Sequence, residues 1–424
     1  MKDIRKLISS YDRFVPHSLL DLLNKEDITD IKLGDQVEMN ITVLFTDIRD
    51  FTTLSEGLTP QENFNFINSY LSQMEPLISV NNGIVDKYIG DAIMAIFPDS
   101  PNDAYRCSLQ MLTQLHIYNE GRRRAGYQDV RIGIGLNTGL AMIGTVGGYN
   151  RMDATVISDT VNLSSRIESL TKVYGLSLLI AENTYHALSL EYKEWTRFVD
   201  RVLVKGKFKP QSIYEVFAGD DKTTRALKVS TKKMFEEALA NFHYKNIDEA
   251  KSLLEACLKI NKNDSTARTY LERCHTYLET GQHIGSSELQ DRITWGKRFL
   301  LNHDVIDQQH HDLVDLSLTL IESIESSRPE DVIKTLIGKI VELAKRHFLT
   351  EEGLLKKVDY PHFVYHKQQH DLFISTFSSI VEELSDPTLS RIFRVFKVQI
   401  FLIDWLVNHT LKEDRNFKKY IDAE

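Results

Sequence analysis

The spacing of apolar positions changes several times along the chain, and each change marks a new part. Over residues 1–37, Ile4, Leu7, Ile8, Tyr11 and Phe14 recur at helical spacing, so this stretch reads as an amphipathic helix broken near Pro16. From 38 to 218, short β-prone runs alternate with helical ones. Strands are predicted at 41–46, 84–88, 92–97, 131–137, 154–157, 177–181, 198–204 and 212–217, and helices at 60–80, 102–124, 159–172 and 182–188. Pro60 and Pro101 sit where a first helical turn tolerates proline. This order suits an α+β sandwich with helices on one face of a mainly antiparallel sheet.

Residues 221–284 are helical in pattern and contain no proline. From 292 onward, four long segments follow, at about 305–326, 330–357, 361–385 and 388–418, with Pro329, Pro361 and Pro387 near their starts and Asp386 as the expected N-cap of the last. Short connections make neighbours antiparallel, so the pattern predicts an all-α up-down four-helix bundle.

Composition narrows the picture. A chain of 424 residues has room for two or three domains. The net charge of −9 gives no reason to expect a nucleic-acid partner, and Arg122-Arg123-Arg124 reads as a solvated helix end. Cys107, Cys257 and Cys274 lack Cys-x-x-Cys spacing, which fits reduced thiols and a cytoplasmic protein. The first residues lead into no signal-type apolar region. The apolar run Val398–Val407 is too short to span a bilayer and contains Asp404, so no membrane span is expected.

Two stretches carry candidate chemistry. The run Val43-Leu44-Phe45-Thr46-Asp47 ends a buried strand on a carboxylate, and Asp91 follows Gly90 at a tight hairpin. Either aspartate alone reads as a turn residue. Together, at neighbouring strand ends, they suit Mg²⁺ or Mn²⁺, which take oxygen ligands and leave sites for phosphates. In the bundle, His347/Glu351 and His366/His370 are spaced i, i+4 and so share faces, while His409 and Asp414, five apart, sit at the edge of one. With His310, these make five histidines and two carboxylates able to ligate metal. Imidazole suits iron but also zinc or copper.

"LFTDIRDFTTLSE", "DKYIGDAIMAIF", "DATVISDTVNLSSRIE" and "VLVKGKFKP" resemble, in order, the motifs of class III nucleotidyl cyclases over about residues 38–218. The resemblance implies a ferredoxin-like core and conversion of ATP or GTP to the 3′,5′-cyclic monophosphate and pyrophosphate. It assigns two Mg²⁺ or Mn²⁺ ions to Asp47, Asp91 and the Ile48 carbonyl. Asn162 and Arg166, four apart on a helix, would position the ribose and stabilise the transition state. Lys205 would grip the triphosphate, with Lys207 as the nearby alternative. Lys87 and Thr155 would read the base, and this pair favours ATP. Because the family builds each site from two subunits, it implies a homodimer, and leaders like residues 1–37 influence how protomers meet. Ser158 departs from the family's usual glycine.

"IDQQH", "HFLTEE", "HKQQH" and "WLVNHTLKED" resemble the ligand set of hemerythrins, which hold an O₂-binding non-haem di-iron centre. One iron would take His366, His370 and His409, and the other His310 and His347 with an open position. Glu351 and Asp414 would bridge them, and Trp405 would either line the pocket or pack in the core. His303, His311 and His362 match no ligand position. Residues 235–279 resemble one tetratricopeptide repeat and a capping helix. The expected organisation is a leader (1–37), a cyclase domain (38–220), a TPR-like helical connector (221–285) and a hemerythrin domain (290–424). The expected function is a homodimeric adenylate cyclase regulated by O₂ or redox state. A guanylate cyclase with the same sensor, or an iron protein whose bundle leaves the cyclase unregulated, are the alternatives.

Overall fold

The computed structural model describes residues 22–23, 25, 28–148, 151–203, 210–282, 296, 299–384, 386 and 389–421. Of the helical leader expected over 1–37, residues 1–21, 24, 26 and 27 fall outside them, as do Lys205 and Lys207; its described end forms a 3-10 turn (Ile28–Asp30) and then enters β1 at Gln36, not a long helix. The chain divides into two compact units, residues 1–231 with 261–269, and residues 232–260 with 270–424.

In the first unit the elements run β1 (Gln36–Ile48), α1 (Phe51–Glu56), α2 (Pro60–Val80), β2 (Ile84–Ile89), β3 (Ala92–Phe97), α3 (Pro101–Arg124), β4 (Ile132–Gly148), β5 (Arg151–Ile157), α4 (Asp159–Tyr174), β6 (Leu178–Ala181), α5 (Glu182–Ala187), α6 (Leu190–Lys193), β7 (Thr196–Leu203) and β8 (Pro210–Val216). The eight strands form one sheet in the order β2-β3-β1-β4-β6-β8-β7, with β5 paired to β4. All pairings are antiparallel except β4 with β6. The central strand β1 is buried from Ile41 through Thr46, on both faces, which is why its sequence reads as a continuous apolar run. Ile41, Val43 and Phe45 pack with Met94, Ile96, Ala141, Ile143 and Val156.

Helix α4 lies close against the sheet. Ser164 donates to the carbonyls of Val43 (2.8 Å) and Gly135 (3.0 Å), and a side chain at Gly135 would meet the Glu168 backbone nitrogen at 2.3 Å. The helix needs glycine at that crossing. Strand β4 runs to Gly148, well beyond the predicted end at 137. Its second half is rich in glycine and small residues, which weaken a strand signal, yet it pairs with β1 and β5 throughout.

Helices α7 (Lys222–His243), α8 (Ile247–Ile260) and α9 (Ser265–Thr280) follow, where a helical connector was expected. The second unit then forms the bundle from α10 (Asp304–Glu325), α11 (Glu330–Lys357), α12 (Phe363–Leu384) and α13 (Arg391–Asn408), continuing through a π-helical turn (His409–Glu413) into α14 (Asp414–Ile421). Leu313, Leu320, Ile340, Phe373, Phe377, Val398 and Phe401 are part of its core. One boundary differs from expectation. Asp386 is not the N-cap of the last helix; its carboxylate pairs with Lys233 at 3.3 Å. The cap is Ser390, which accepts from the Phe393 amide at 3.4 Å.

Candidate active site and metal centre

Asp47 lies near the end of β1, and Asp91 follows Gly90, whose φ of +66° makes the β2–β3 turn. Pairing of β1 with β3 brings both carboxylates to one amide: Ile48 N–H donates to Asp47 Oδ1 (3.0 Å) and Asp91 Oδ2 (3.2 Å). Burial, and then the adjoining Asp47, push the Asp91 carboxyl up to about 7. Two acidic groups converging on one amide are short of positive charge, and an oxygen-seeking divalent cation fits that deficit.

Lys87 and Thr155, 68 residues apart, also meet. Lys87 Nζ lies 2.6 Å from Thr155 Oγ1. Sequence reasoning missed a third partner. Asp86 Oδ2 is 3.3 Å from Thr155 Oγ1 and 3.3 Å from Lys87 Nζ. Burial raises the Asp86 carboxyl, and Lys87 opposes that shift. Asn162 and Arg166 share the exposed side of α4, while Leu163, Ser164, Ile167 and Glu168 form its buried side. Ser158, the departure from glycine, N-caps this helix by accepting from the Val161 amide at 3.2 Å. That gives the substitution a structural role beside Thr155 and Asn162.

The bundle brings all seven predicted ligands into one buried cage. Glu351 divides its oxygens. Oε2 lies near His366 (3.3 Å), His370 (3.1 Å) and His409 (3.5 Å), and Oε1 near His347 (3.4 Å) and His310 (3.8 Å). Asp414 does the same, with Oδ1 3.1 Å from His409 and Oδ2 3.2 Å from His310. The ligand atoms fall into two groups, Glu351 with His366, His370 and His409, and His310, His347 and Asp414 with Glu351. The π-helical turn explains the awkward spacing of His409 and Asp414. It widens the turn so that residues five apart align, as such turns do at functional sites.

Several cage atoms are buried without a hydrogen-bond partner, among them both His310 nitrogens, His347 Nε2, Glu351 Oε1 and both Asp414 oxygens. Buried polar atoms are rarely left so, and a pair of metal ions would satisfy this set. Burial pushes His347 down to about 3, so it offers a free electron pair at neutral pH. Burial opposes ionisation of Glu351, but the histidines around it hold it well below the usual carboxylate range.

The groups behind the ligands were not legible in the sequence. Glu352 Oε1 accepts from His370 Nδ1 at 3.1 Å, and Gln309 Oε1 lies 3.2 Å from His347 Nδ1. Such contacts orient an imidazole and fix which nitrogen faces the metal. Phe348 stacks on His370 and Trp405 on His409, with ring centroids 4.0 and 4.5 Å apart. Trp405 thus packs against a ligand from the edge of the core. His303 caps α10, and His311 pairs with Asp315.

Two families match separate parts of the chain. Residues 34–218 match the family described as adenylate and guanylate cyclase catalytic domain, and residues 301–421 match the hemerythrin HHE cation-binding domain. The chain is 35% identical over 286 residues (66% of the chain) to the terminal-differentiation-specific adenylate cyclase of Dictyostelium discoideum, and covers 13% of that protein. It is 41% identical over 221 residues (51% of the chain) to an adenylate cyclase of Anabaena cylindrica, covering 44% of it. The chain therefore spans less than half the length of either relative. Among solved structures, the adenylyl cyclase CyaB from P. aeruginosa is similar at 32% identity and a TM-score of 0.38, over 43% of this chain and 95% of that one. Among the described residues, no helix is long and apolar enough to cross a membrane.

Proposed function

Residues 34–218 belong to the class III nucleotidyl cyclase family and residues 301–421 to the hemerythrin family, and from that premise we propose that this protein is a cytoplasmic, homodimeric adenylate cyclase controlled by O₂ or redox state at a di-iron centre. The observation that carries the ATP reading is the 2.6 Å contact of Lys87, on the hairpin whose turn carries Asp91, with Thr155 on β5. Asp47, Asp91 and the Ile48 carbonyl would hold two Mg²⁺ or Mn²⁺. When bound, these supply a lowered pKa at the attacking ribose hydroxyl and neutralise phosphate charge. The chain's own residues do the rest. Lys87 donates to adenine N1, and Thr155 accepts from the exocyclic amine. Asn162 orients the ribose, Arg166 donates to the phosphate oxygens as charge develops, and Lys205 holds the triphosphate. Lys87 and Asp91 serve opposite sites of the dimer.

In the bundle, His366, His370 and His409 would hold one iron and His310 and His347 the other, with Glu351 and Asp414 placed to reach both groups. Bound iron supplies an O₂- and redox-responsive centre. To regulate, its states must prefer different arrangements of the cyclase protomers. The test is cyclic AMP formation from ATP by the iron-loaded protein in diferrous, oxygenated and diferric forms. A rate that differs between forms is expected. Equal rates in all three overturn regulation, and absence of cyclic AMP overturns the adenylate cyclase assignment.

A further inference from the structure

Asp86 belongs to neither the metal pair nor the base-reading pair, yet its side chain has no exposure to solvent. It sits at an irregularity of the β2–β3 ladder. Val85 faces Ala95 and Lys87 faces Met94, which leaves Asp86 without an opposite residue. In a regular strand, neighbouring side chains point to opposite faces. A bulge removes that rule and re-aims a side chain. Here both Asp86 and Lys87 end on Thr155, at 3.3 and 2.6 Å.

The donors and acceptors then have one consistent arrangement. The Lys87 ammonium has only hydrogens to give, so Thr155 Oγ1 accepts from it. The Thr155 hydroxyl hydrogen goes to Asp86 Oδ2, because a carboxylate only accepts. One lone pair of Oγ1 is left, and no proton. This matters because threonine alone is ambiguous. Adenine presents an exocyclic amine, which needs an acceptor, where guanine presents a carbonyl oxygen, which needs a donor. A free hydroxyl serves either.

We propose that Asp86 is a specificity-determining residue: by holding the Thr155 hydroxyl proton it fixes Thr155 as an acceptor and selects adenine over guanine nucleotides. This rests on the reading of Lys87 and Thr155 as the base-reading pair. Asp86 Oδ1 is itself buried without a hydrogen-bond partner, so the side-chain partners of this carboxylate are Thr155 and Lys87, through Oδ2.

The experiment measures kcat/KM for ATP and for GTP in the full-length iron-loaded protein carrying Asp86→Ala, Thr155→Val or both. Asp86→Ala is expected to lower the ATP:GTP ratio by about tenfold, the worth of one oriented hydrogen bond, mainly by raising use of GTP. In the Thr155→Val background, Asp86→Ala should change the ratio no further. Equal loss toward both nucleotides in Asp86→Ala, with a lowered ratio in Thr155→Val, overturns the role of Asp86 alone. An unchanged ratio in Thr155→Val overturns the base-reading assignment, and this proposal with it. If Asp86→Ala does not fold, Asp86→Leu repeats the test, filling the space without an acceptor.

Discussion

Metal binding at the Asp47–Asp91 pair should compete with a proton near neutrality. Without metal, burial and the adjoining Asp47 carboxylate place the Asp91 pKa at about 7. The metal takes the ionised form. At pH 6 about a tenth of Asp91 is ionised, and at pH 8 about nine tenths, so apparent Mn²⁺ affinity should rise about tenfold between them and level off above. The stability effect has the matching sign. A carboxyl whose folded pKa lies above its unfolded value contributes stability that is full below about 4 and lost as pH rises through about 7. The metal-induced rise in Tm should therefore be larger at pH 8 than at pH 6. Free Mn²⁺ can be followed by its paramagnetic resonance signal during titration of iron-loaded protein, whose bundle ligands are already taken. Asp91→Asn, which has no proton to lose, should bind Mn²⁺ weakly and without this slope. A wild-type affinity flat between pH 6 and 8, or an equal slope in Asp91→Asn, would refute the reasoning.

Three further outcomes are expected. Asp47→Ala should abolish metal-dependent turnover in a nucleotide assay; wild-type rates would remove Asp47 from the site. Glu352→Gln should weaken iron binding by about ten- to a hundredfold in chelator competition, since it takes the charged acceptor from His370 Nδ1. Unchanged affinity would mean that this contact does not tune the ligand. Arg197→Met should cost about 3–5 kcal/mol of unfolding free energy in denaturant titration. Arg197 is fully buried and bonds Glu215 at 2.5 Å and Asp264 at 2.6 and 2.9 Å. Lys228 would still pair with Glu215, but Asp264 would be left buried without its cation. A cost below about 1 kcal/mol would mean that Asp264 finds water or another partner.

Where local chemistry announces an element, the sequence was readable. Thr59, Pro60 and Glu62 form a capping box with a first-turn proline, and α2 begins and ends where its pattern predicts. The β1 run was legible because a strand buried on both faces has no polar alternation. In the bundle, the i, i+4 spacing of His347/Glu351 and His366/His370 puts each pair on one face before any packing is known, while the complete set of seven came from the resemblance to hemerythrins. What stayed hidden depends on a partner. The bulge at Asp86 exists only against β3, so no period in β2 reveals it. Gln309 and Glu352 acquire their roles from imidazoles on other helices. The glycine-rich half of β4 carries little strand preference of its own and is extended because β1 and β5 pair with it. The π-helical turn shows in the sequence only as a five-residue spacing that a regular helix would not use.

The two proposed sites also differ in a way that would let one chain carry both metals. Asp47 and Asp91 offer only oxygen, at a half-buried position, and such a site suits a hydrated, readily exchanged ion. The cage offers five imidazoles and two carboxylates with essentially no solvent exposure. By ligand type it favours a transition metal over Mg²⁺, and by burial it releases that metal slowly. Mg²⁺ should therefore exchange at the cyclase site without displacing iron, and iron in the cage should persist through cycles of nucleotide binding. The proposed control by the cage requires that separation. If turnover stripped the sensor, or if iron competed for the aspartate pair, cyclase rate would report metal supply instead of the state of the bound centre. Dialysis of iron-loaded protein against millimolar Mg²⁺ tests the point directly. Iron content should be unchanged, and loss of iron in proportion to Mg²⁺ would show that the cage is not closed.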